Sequence, residues 1–131
     1  MHKSRLSTLV IDCQVEDIEQ ANLFWEAALG MACNRSEEEW ADRYSSLQTN
    51  ESQPHILIQK VSHESRVHLD IETDNIDAEV KRLTELGAQV VKRLERWVVM
   101  QAPTGHRFCV VNPQRTDFDT ASDVNQWPDN D

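Results

Sequence analysis

Two stretches of this chain repeat the same order of chemistry, and this internal repeat constrains the fold more than any other feature. The first stretch, from Val10, reads VIDCQVEDIEQANLFWEAALGMAC, and the second, from His68, reads HLDIETDNIDAEVKRLTELGAQVV. Asp12 matches Asp70 when the two are set side by side. Each stretch is typical of a strand, an acidic turn, a helix, a glycine stop and a further strand.

The first strand of each copy has a period of two, which is typical of a strand with one buried face. The intervening polar positions include Asp12, His68 and Asp70, so these side chains are predicted to face the opposite side of the sheet. If the two sheets join, that side becomes a cleft. The apolar positions, predicted to face the core, are Leu9, Ile11 and Cys13 in the first copy and Val67, Leu69 and Ile71 in the second.

Each copy continues with an amphipathic helix. Asp17 is placed to cap the first helix, and Asp74 or Asn75 is placed to cap the second. Gly30 and Gly87 stand where a left-handed C-cap is expected. The predicted buried stripes are Ile18, Ala21, Trp25 and Leu29 in the first helix, and Ile76, Val80, Leu83 and Leu86 in the second.

Further strands are predicted after each helix, at 42–49 and 54–61 in the first copy and at 88–94, 96–102 and 107–113 in the second. The predicted fold class is α+β: two β-α-β-β-β modules whose sheets together form an open cleft, with helices on the outer faces. Module one covers about residues 7–62 and module two about residues 66–113 of a single domain. An acidic tail, 114–131, follows.

The tail carries two isolated aromatic residues, Phe118 and Trp127, among acidic and polar ones. One interpretation is that the aromatic rings anchor the tail, which then closes an end of the cleft or covers a partner subunit. The other is a frayed terminus. The sequence does not separate the two.

Composition excludes some classes of function. The 131 residues carry a formal net charge of -10, which argues against binding nucleic acid through its phosphates. No apolar run approaches the roughly 20 residues that span a bilayer. The opening residues MHKSRLSTLVIDC lack a signal-peptide pattern, so a cytoplasmic protein is expected. Cys13, Cys33 and Cys109 form no CxxC motif and are expected to be free thiols.

Three segments together resemble the vicinal oxygen chelate superfamily, which includes glyoxalase I, extradiol dioxygenases and bleomycin-resistance proteins. The segments are VEDIEQANLFWEAALGM in the first helix, VHLDIETDNIDAEVKRLTELGAQV at the start of module two, and WVVMQAPTGHRFCVVNP in the closing hairpin. The match covers roughly residues 7–113. Within the superfamily, the chain most resembles the glyoxalase-like domain subgroup.

In metal-dependent members the resemblance implies ligands on the first and last strands of each module. Those positions fall here on Val10, Gln59, His68 and Cys109. Val10 has no ligand atom and Cys109 is a soft ligand where glutamate is usual, so the ordinary ligand set is lost. A divalent metal held by His68, Gln59 and Cys109 is the remaining metal hypothesis, and no cofactor is certain.

Other polar and aromatic side chains are candidates for the cleft. His68 and Asp70 are the candidate catalytic residues, since histidine titrates near neutral pH and a carboxylate at its side can act as a base. For each, the alternative is an ordinary hydrogen-bonded or solvated group. The candidate ligand-binding residues are Asp12, Tyr44, Gln59, Trp97 and Arg107, with Trp40 and Met100 as further walls for a flat ligand.

Three functions compete. The first in rank is a small-molecule binder of the bleomycin-resistance kind, without the usual metal ligands. The alternative is a metal-dependent lyase, isomerase or dioxygenase with a site around His68, although glyoxalase I activity itself is not expected. The third is a domain whose cleft is vestigial. The resemblance also implies a homodimer as the default assembly. The sequence identifies neither the ligand nor the reaction.

Overall fold

The structure is a computed structural model that describes residues 1–35 and 38–128. The chain divides into two compact units. We call Thr8–His68 the N-terminal unit, and Leu69–Asp131 together with Met1–Ser7 the C-terminal unit. Strand β1 (His2–Cys13) and strand β5 (Arg66–Thr73) each contribute residues to both units.

Over its described residues, the N-terminal unit contains one α-helix and three complete strands besides the end of β1 and the start of β5. They are α1 (Ile18–Leu29), β2 (Cys33–Asn34), β3 (Tyr44–Leu47) and β4 (His55–Lys60), with a 3-10 helix at Glu39–Asp42. β4 lies parallel to β1 and antiparallel to β3, and β3 is antiparallel to β2. The first and last strands of the module are therefore neighbours in its sheet.

The C-terminal unit repeats this arrangement. It contains α2 (Ile76–Glu85), β6 (Gln89–Arg93), β7 (Trp97–Gln101), β8 (Arg107–Val111) and β9 (Asn125–Trp127). β8 lies parallel to β5 and antiparallel to β7, and β7 is antiparallel to β6. The predicted α+β class and the β-α-β-β-β repeat are confirmed, with two α-helices among the described residues.

The two helices begin where the sequence predicts. The side chain of Asp17 accepts a hydrogen bond from the Glu19 N–H at the start of α1. Asn75, rather than Asp74, caps α2 by accepting from the Ala78 N–H. Gly30 ends α1 in the left-handed conformation, as its position predicts.

Each helix buries one face of its own sheet. The cluster under α1 comprises Cys13, Ile18, Ala21, Leu47 and Ile58, and the cluster under α2 comprises Val80, Leu83, Ala88, Val98, Met100, Phe108 and Val110. The opposite face of each sheet is then available for polar groups. Among the described residues, no helix is long and apolar enough to cross a membrane.

Some predicted core positions are exposed. Val67 is 59% exposed and Leu69 43% exposed, because the cluster under α2 begins at Ile71 on this strand. Leu86 is also exposed, since α2 already ends at Glu85.

Residues 114–128 of the predicted tail pack back on the C-terminal unit. Phe118 is buried, and β9 pairs antiparallel with the first residues of β1, placing Trp127 opposite His2. The interpretation of a frayed terminus is therefore wrong for this segment. Residues 129–131 of the predicted tail lie outside the described residues.

Candidate functional site

A row of polar side chains crosses the N-terminal unit on the sheet face opposite α1. Asp12 of β1 pairs in register with Gln59 of β4, and Gln59 pairs with Tyr44 of β3. Residues directly opposite one another in a sheet project to the same side. Cys13 and Ile58, which alternate with these residues, lie in the core under α1. The backbone therefore brings together three of the predicted ligand-binding residues.

His68 completes this row through a hydrogen bond to Asp12. Its Nδ1 lies 2.6 Å from Oδ2 of Asp12, whose residue is only 3% exposed. Because an ionised carboxylate accepts hydrogen bonds and does not donate them, Nδ1–H is the donor. In the neutral ring Nε2 is then the accepting nitrogen, so the bond fixes the tautomer of His68. We call Tyr44, Gln59, Asp12 and His68 the Asp12 row.

The second carboxylate oxygen of Asp12 is buried without a hydrogen bond from the described residues. Oδ1 exposes less than 1 Å² and has no hydrogen-bond partner among the described residues. Buried polar atoms are nearly always hydrogen-bonded, because an unpaired one loses its hydration without compensation. An oxygen in this state is suited to a donor supplied from outside the chain.

One charged neighbour of the row was not among the predicted site residues. Nε of Arg66 lies 3.9 Å from Oδ2 of Asp12, and its side chain is half-exposed. The sequence pattern could have indicated Arg66, since this residue stands two positions before His68 on β5 and projects from the same face. Its guanidinium adds positive charge to the edge of a buried acidic group.

The equivalent face of the C-terminal unit carries the other predicted residues. Asp70 pairs in register with Cys109 of β8, and Cys109 pairs with Val99 of β7. Arg107 and Trp97 lie on the same face by strand alternation. Nε of Arg107 donates to Oε1 of Gln101 at 2.9 Å, and the side chain of Trp97 is exposed.

Met100 and Trp40, which the sequence suggested as walls for a flat ligand, lie in different environments. Met100 is fully buried in the cluster under α2, so its prediction as a wall is wrong. It alternates with Val99 and Gln101, and this alternation turns it toward the helix. Trp40 lies in the 3-10 helix with an exposed ring.

The positions that the resemblance assigns to metal ligands do not form the usual donor set. Val10 is a buried aliphatic side chain, and Gln59 offers only a neutral amide oxygen. Side chains of the kinds that bind divalent ions are nonetheless present on β5 and β8, at His68, Asp70 and Cys109. The thiol of Cys109 is a softer ligand than the glutamate that the resemblance implies at its position.

The nearby cysteine Cys13 is unsuited to be a nucleophile. It lies in the core under α1, and burial raises the pKa of its thiol. The thiolate, which is the reactive form, is thereby disfavoured. The chemistry of this face rests on the carboxylate, the imidazole, the amide and the phenol of the Asp12 row.

The known structures that resemble this chain have the same fold. Methylmalonyl-CoA epimerase from Mycobacterium tuberculosis is 19% identical with a TM-score of 0.60, over 83% of this chain and 87% of that one. A variant of the Streptomyces coelicolor epimerase, in complex with 2-nitronate-propionyl-CoA, is 18% identical with a TM-score of 0.59, over 82% and 96%. A hypothetical protein from Bacillus halodurans is 13% identical with a TM-score of 0.61, over 85% and 95%.

Sequence comparison identifies the family. No curated protein matches the chain at a significant level. The glyoxalase-like domain family matches residues 8–111, which include both repeats and every predicted site residue. The predicted membership of the vicinal oxygen chelate superfamily is confirmed, and the chain belongs to the glyoxalase-like domain family.

Proposed function

We propose that this chain binds a small polar molecule through the Asp12 row, without the usual divalent-metal ligand set of its superfamily. The observation that carries the proposal is the buried Asp12 carboxylate, with one oxygen bonded to His68 and the other without a donor among the described residues. A buried carboxylate oxygen without a donor destabilises the fold. Groups in such unfavourable environments are common in binding and active sites.

The row specifies the chemistry of the ligand. Oδ1 of Asp12 requires a hydroxyl or N–H donor, and the amide of Gln59 offers both a donor and an acceptor. The half-buried ring of Tyr44 provides a flat surface at the end of the row. A formal net charge of -10 favours neutral or cationic ligands over anionic ones.

Should the ligand also react, His68 is the group placed to move a proton. Asp12 holds the ring in the tautomer whose Nε2 accepts, and this is the arrangement that a general base needs. Asp70, two positions further along β5, is the second candidate catalytic residue. The related epimerase bound to 2-nitronate-propionyl-CoA supports small-molecule binding on this fold, but at 18% identity it does not specify the ligand.

The test is a fragment titration followed by NMR. Small hydroxyl- and ammonium-bearing fragments are expected to shift amide signals of residues 10–14, 57–60 and 66–68. Asp12→Asn should weaken the best fragment by roughly 10-fold or more, since a hydrogen bond to a charged group contributes about 1.5–3 kcal/mol. The matched control is Asp77→Asn, because Asp77 is an exposed aspartate paired with Arg93 away from the row. Equal affinity in Asp12→Asn and wild type contradicts the proposal.

A metal-dependent lyase, isomerase or dioxygenase centred on His68 is the second candidate function. The bond between Asp12 and His68 favours it, because metal-binding histidines commonly donate their other ring N–H to a carboxylate. Calorimetric titration with nickel, manganese, zinc and iron(II) tests it. Binding below about 10 micromolar (roughly -7 kcal/mol) that is lost in His68→Ala supports a metal site there. Cys109→Ser then tests whether Cys109 is a ligand. Absence of binding by the wild-type protein rejects this candidate.

We also propose that the protein works in the cytoplasm as a homodimer. Its three cysteines are free thiols, as is usual in the reducing cytoplasm, and pairing across a two-fold axis is frequent among relatives that the resemblance identifies. Light scattering on the purified protein measures the assembly. A mass near the 15.1 kDa of one chain would exclude the dimer.

A further inference from the structure

The C-terminal segment meets the sheet of the C-terminal unit at a buried arginine. Arg5 is nearly inaccessible, and its guanidinium donates to three carboxylates. Nε lies 2.7 Å from Oε2 of Glu72, Nη2 lies 2.6 Å from Oδ1 of Asp117, and Nη1 lies 2.6 Å from Oδ1 of Asp123. One carboxylate thus belongs to the sheet and two belong to the segment.

Glu72 also holds the start of the segment. Its Oε1 accepts from the backbone N–H of Gln114 at 2.6 Å and from that of Arg115 at 2.9 Å. Glu72 stands two positions after Asp70 on β5, so both project from the sheet face opposite α2. The segment therefore lies over this polar face and makes Glu72 fully inaccessible.

Two aromatic residues anchor the rest of the segment. Phe118 is buried, and its ring centroid is 5.9 Å from the guanidinium carbon of Arg5. Trp127 donates from Nε1 to Oγ of Ser4 at 2.8 Å, and the guanidinium carbon of Arg82 lies 3.9 Å from its ring centroid. The backbone contribution is small, because β9 has only three residues.

We infer that residues 114–127 form a releasable strap on the C-terminal unit, latched by Arg5, and that the first part of this strap lies over the polar face. The strap's own carboxylates are accessible, with the side chain of Asp117 42% exposed and that of Asp123 59% exposed. Salt screens these two pairs more than the pair of Arg5 with Glu72, in which both side chains are buried and which forms the fixed half of the latch. Release uncovers Glu72 beside Asp70. The inference concerns the other unit and does not depend on the proposed function of the Asp12 row.

Hydrogen exchange of the full chain, read by mass spectrometry, tests the strap. Raising the salt from about 0.01 M to about 1 M shortens the Debye length from about 30 Å to about 3 Å. We expect exchange of amides 116–127 to rise at least about tenfold, while β7 and β8 remain protected. The Asp117→Asn/Asp123→Asn double variant is expected to show the same rise already at low salt, with little further effect of salt.

The control is Asp77→Asn, which removes an exposed pair with Arg93 at 3.1 Å in the same unit but outside the strap. Its strap should exchange as in the wild type. The inference is overturned if the strap amides exchange only together with β7 and β8, or if their exchange does not respond to salt. The wild-type salt series gives this answer even if the double variant fails to fold.

Discussion

The two units have the same backbone register at equivalent positions and differ in the side chains placed there. In the N-terminal unit the row across three strands is Asp12, Gln59 and Tyr44. In the C-terminal unit it is Asp70, Cys109 and Val99. Both rows start with an aspartate on the first strand and cross the parallel last strand. Only the first row continues with an amide and a phenol, which are able to hydrogen-bond a polar ligand. The repeat therefore explains the scaffold, and the difference between its copies supports the proposed site.

A second difference lies two residues further along the chain in each unit, at Gln14 and Glu72. Gln14 is exposed, and its amide donates to the carbonyl oxygen of Ser62 at 2.9 Å. The equivalent position in the repeat, Glu72, is buried in the pair with Arg5 and covered by the strap. The C-terminal unit has thus used its polar face to hold a segment of its own chain.

The largest effect is expected from alanine at these two equivalent positions. Glu72→Ala should lower the free energy of unfolding by about 3 kcal/mol, because it leaves buried Arg5 short of a partner. Gln14→Ala should change it by about 0.5 kcal/mol or less, as is usual for an exposed polar side chain. Urea unfolding of both variants measures the difference. Equal losses would mean that burial at Glu72 has no special role.

The two glycines that follow the helices should differ in the same direction. Gly30 has φ 66° and open space where a Cβ would lie, so Gly30→Ala should cost about 1 kcal/mol. Gly87 has φ 105°, and a Cβ there would lie 3.0 Å from Cγ of Pro103. Gly87→Ala should therefore cost about 2 kcal/mol, which combines the left-handed strain with this contact. Thermal unfolding of the two variants measures both losses of stability. A larger loss in Gly30→Ala than in Gly87→Ala would refute the steric explanation.

A smaller effect on stability is expected from substituting Glu79, and it should depend on pH. Glu79 occupies a buried position of α2, where the repeat places Ala21 in α1. Burial acts to raise the pKa of its carboxyl, but hydrogen bonds from Arg82, His2 and Ser4 outweigh it and the pKa is lowered. The ionised carboxyl therefore stabilises the fold above its ordinary pKa of about 4.5, and this contribution is lost as the pH falls through the folded-state value.

Glu79→Gln should consequently make stability fall less steeply under acid conditions. Urea midpoints across the acid range measure the slope for the variant and for wild type. Glu85→Gln on the exposed side of the same helix is the matched control, and it should keep the wild-type slope. A variant of Glu79 with an unchanged slope would show that another group governs acid stability.

The repeat made most of the fold predictable from sequence. Strand alternation and helix caps depend on neighbouring residues, so Asp17 and Gly30 were assigned correctly from local patterns. These features are periodic or short-range, and a single sequence contains them.

The features that were missed depend on distant parts of the chain. Arg5 was not singled out, because its partners Asp117 and Asp123 lie more than a hundred positions away. Met100 was placed on the wrong face, since a strand with apolar residues on both faces does not reveal which of them meets the helix. The choice of Asp12 as a hydrogen-bond partner of His68 likewise required the fold, since Asp70 was also a candidate in the sequence.

The most direct test of the central claim makes the same substitution at the equivalent aspartate of each unit. The best fragment from the NMR titration would be measured against Asp12→Asn and Asp70→Asn. We predict that Asp12→Asn weakens binding roughly 10-fold or more, and that Asp70→Asn has a clearly smaller effect. Equal or greater loss in Asp70→Asn, or no effect of either substitution, would contradict the assignment of the ligand site to the Asp12 row.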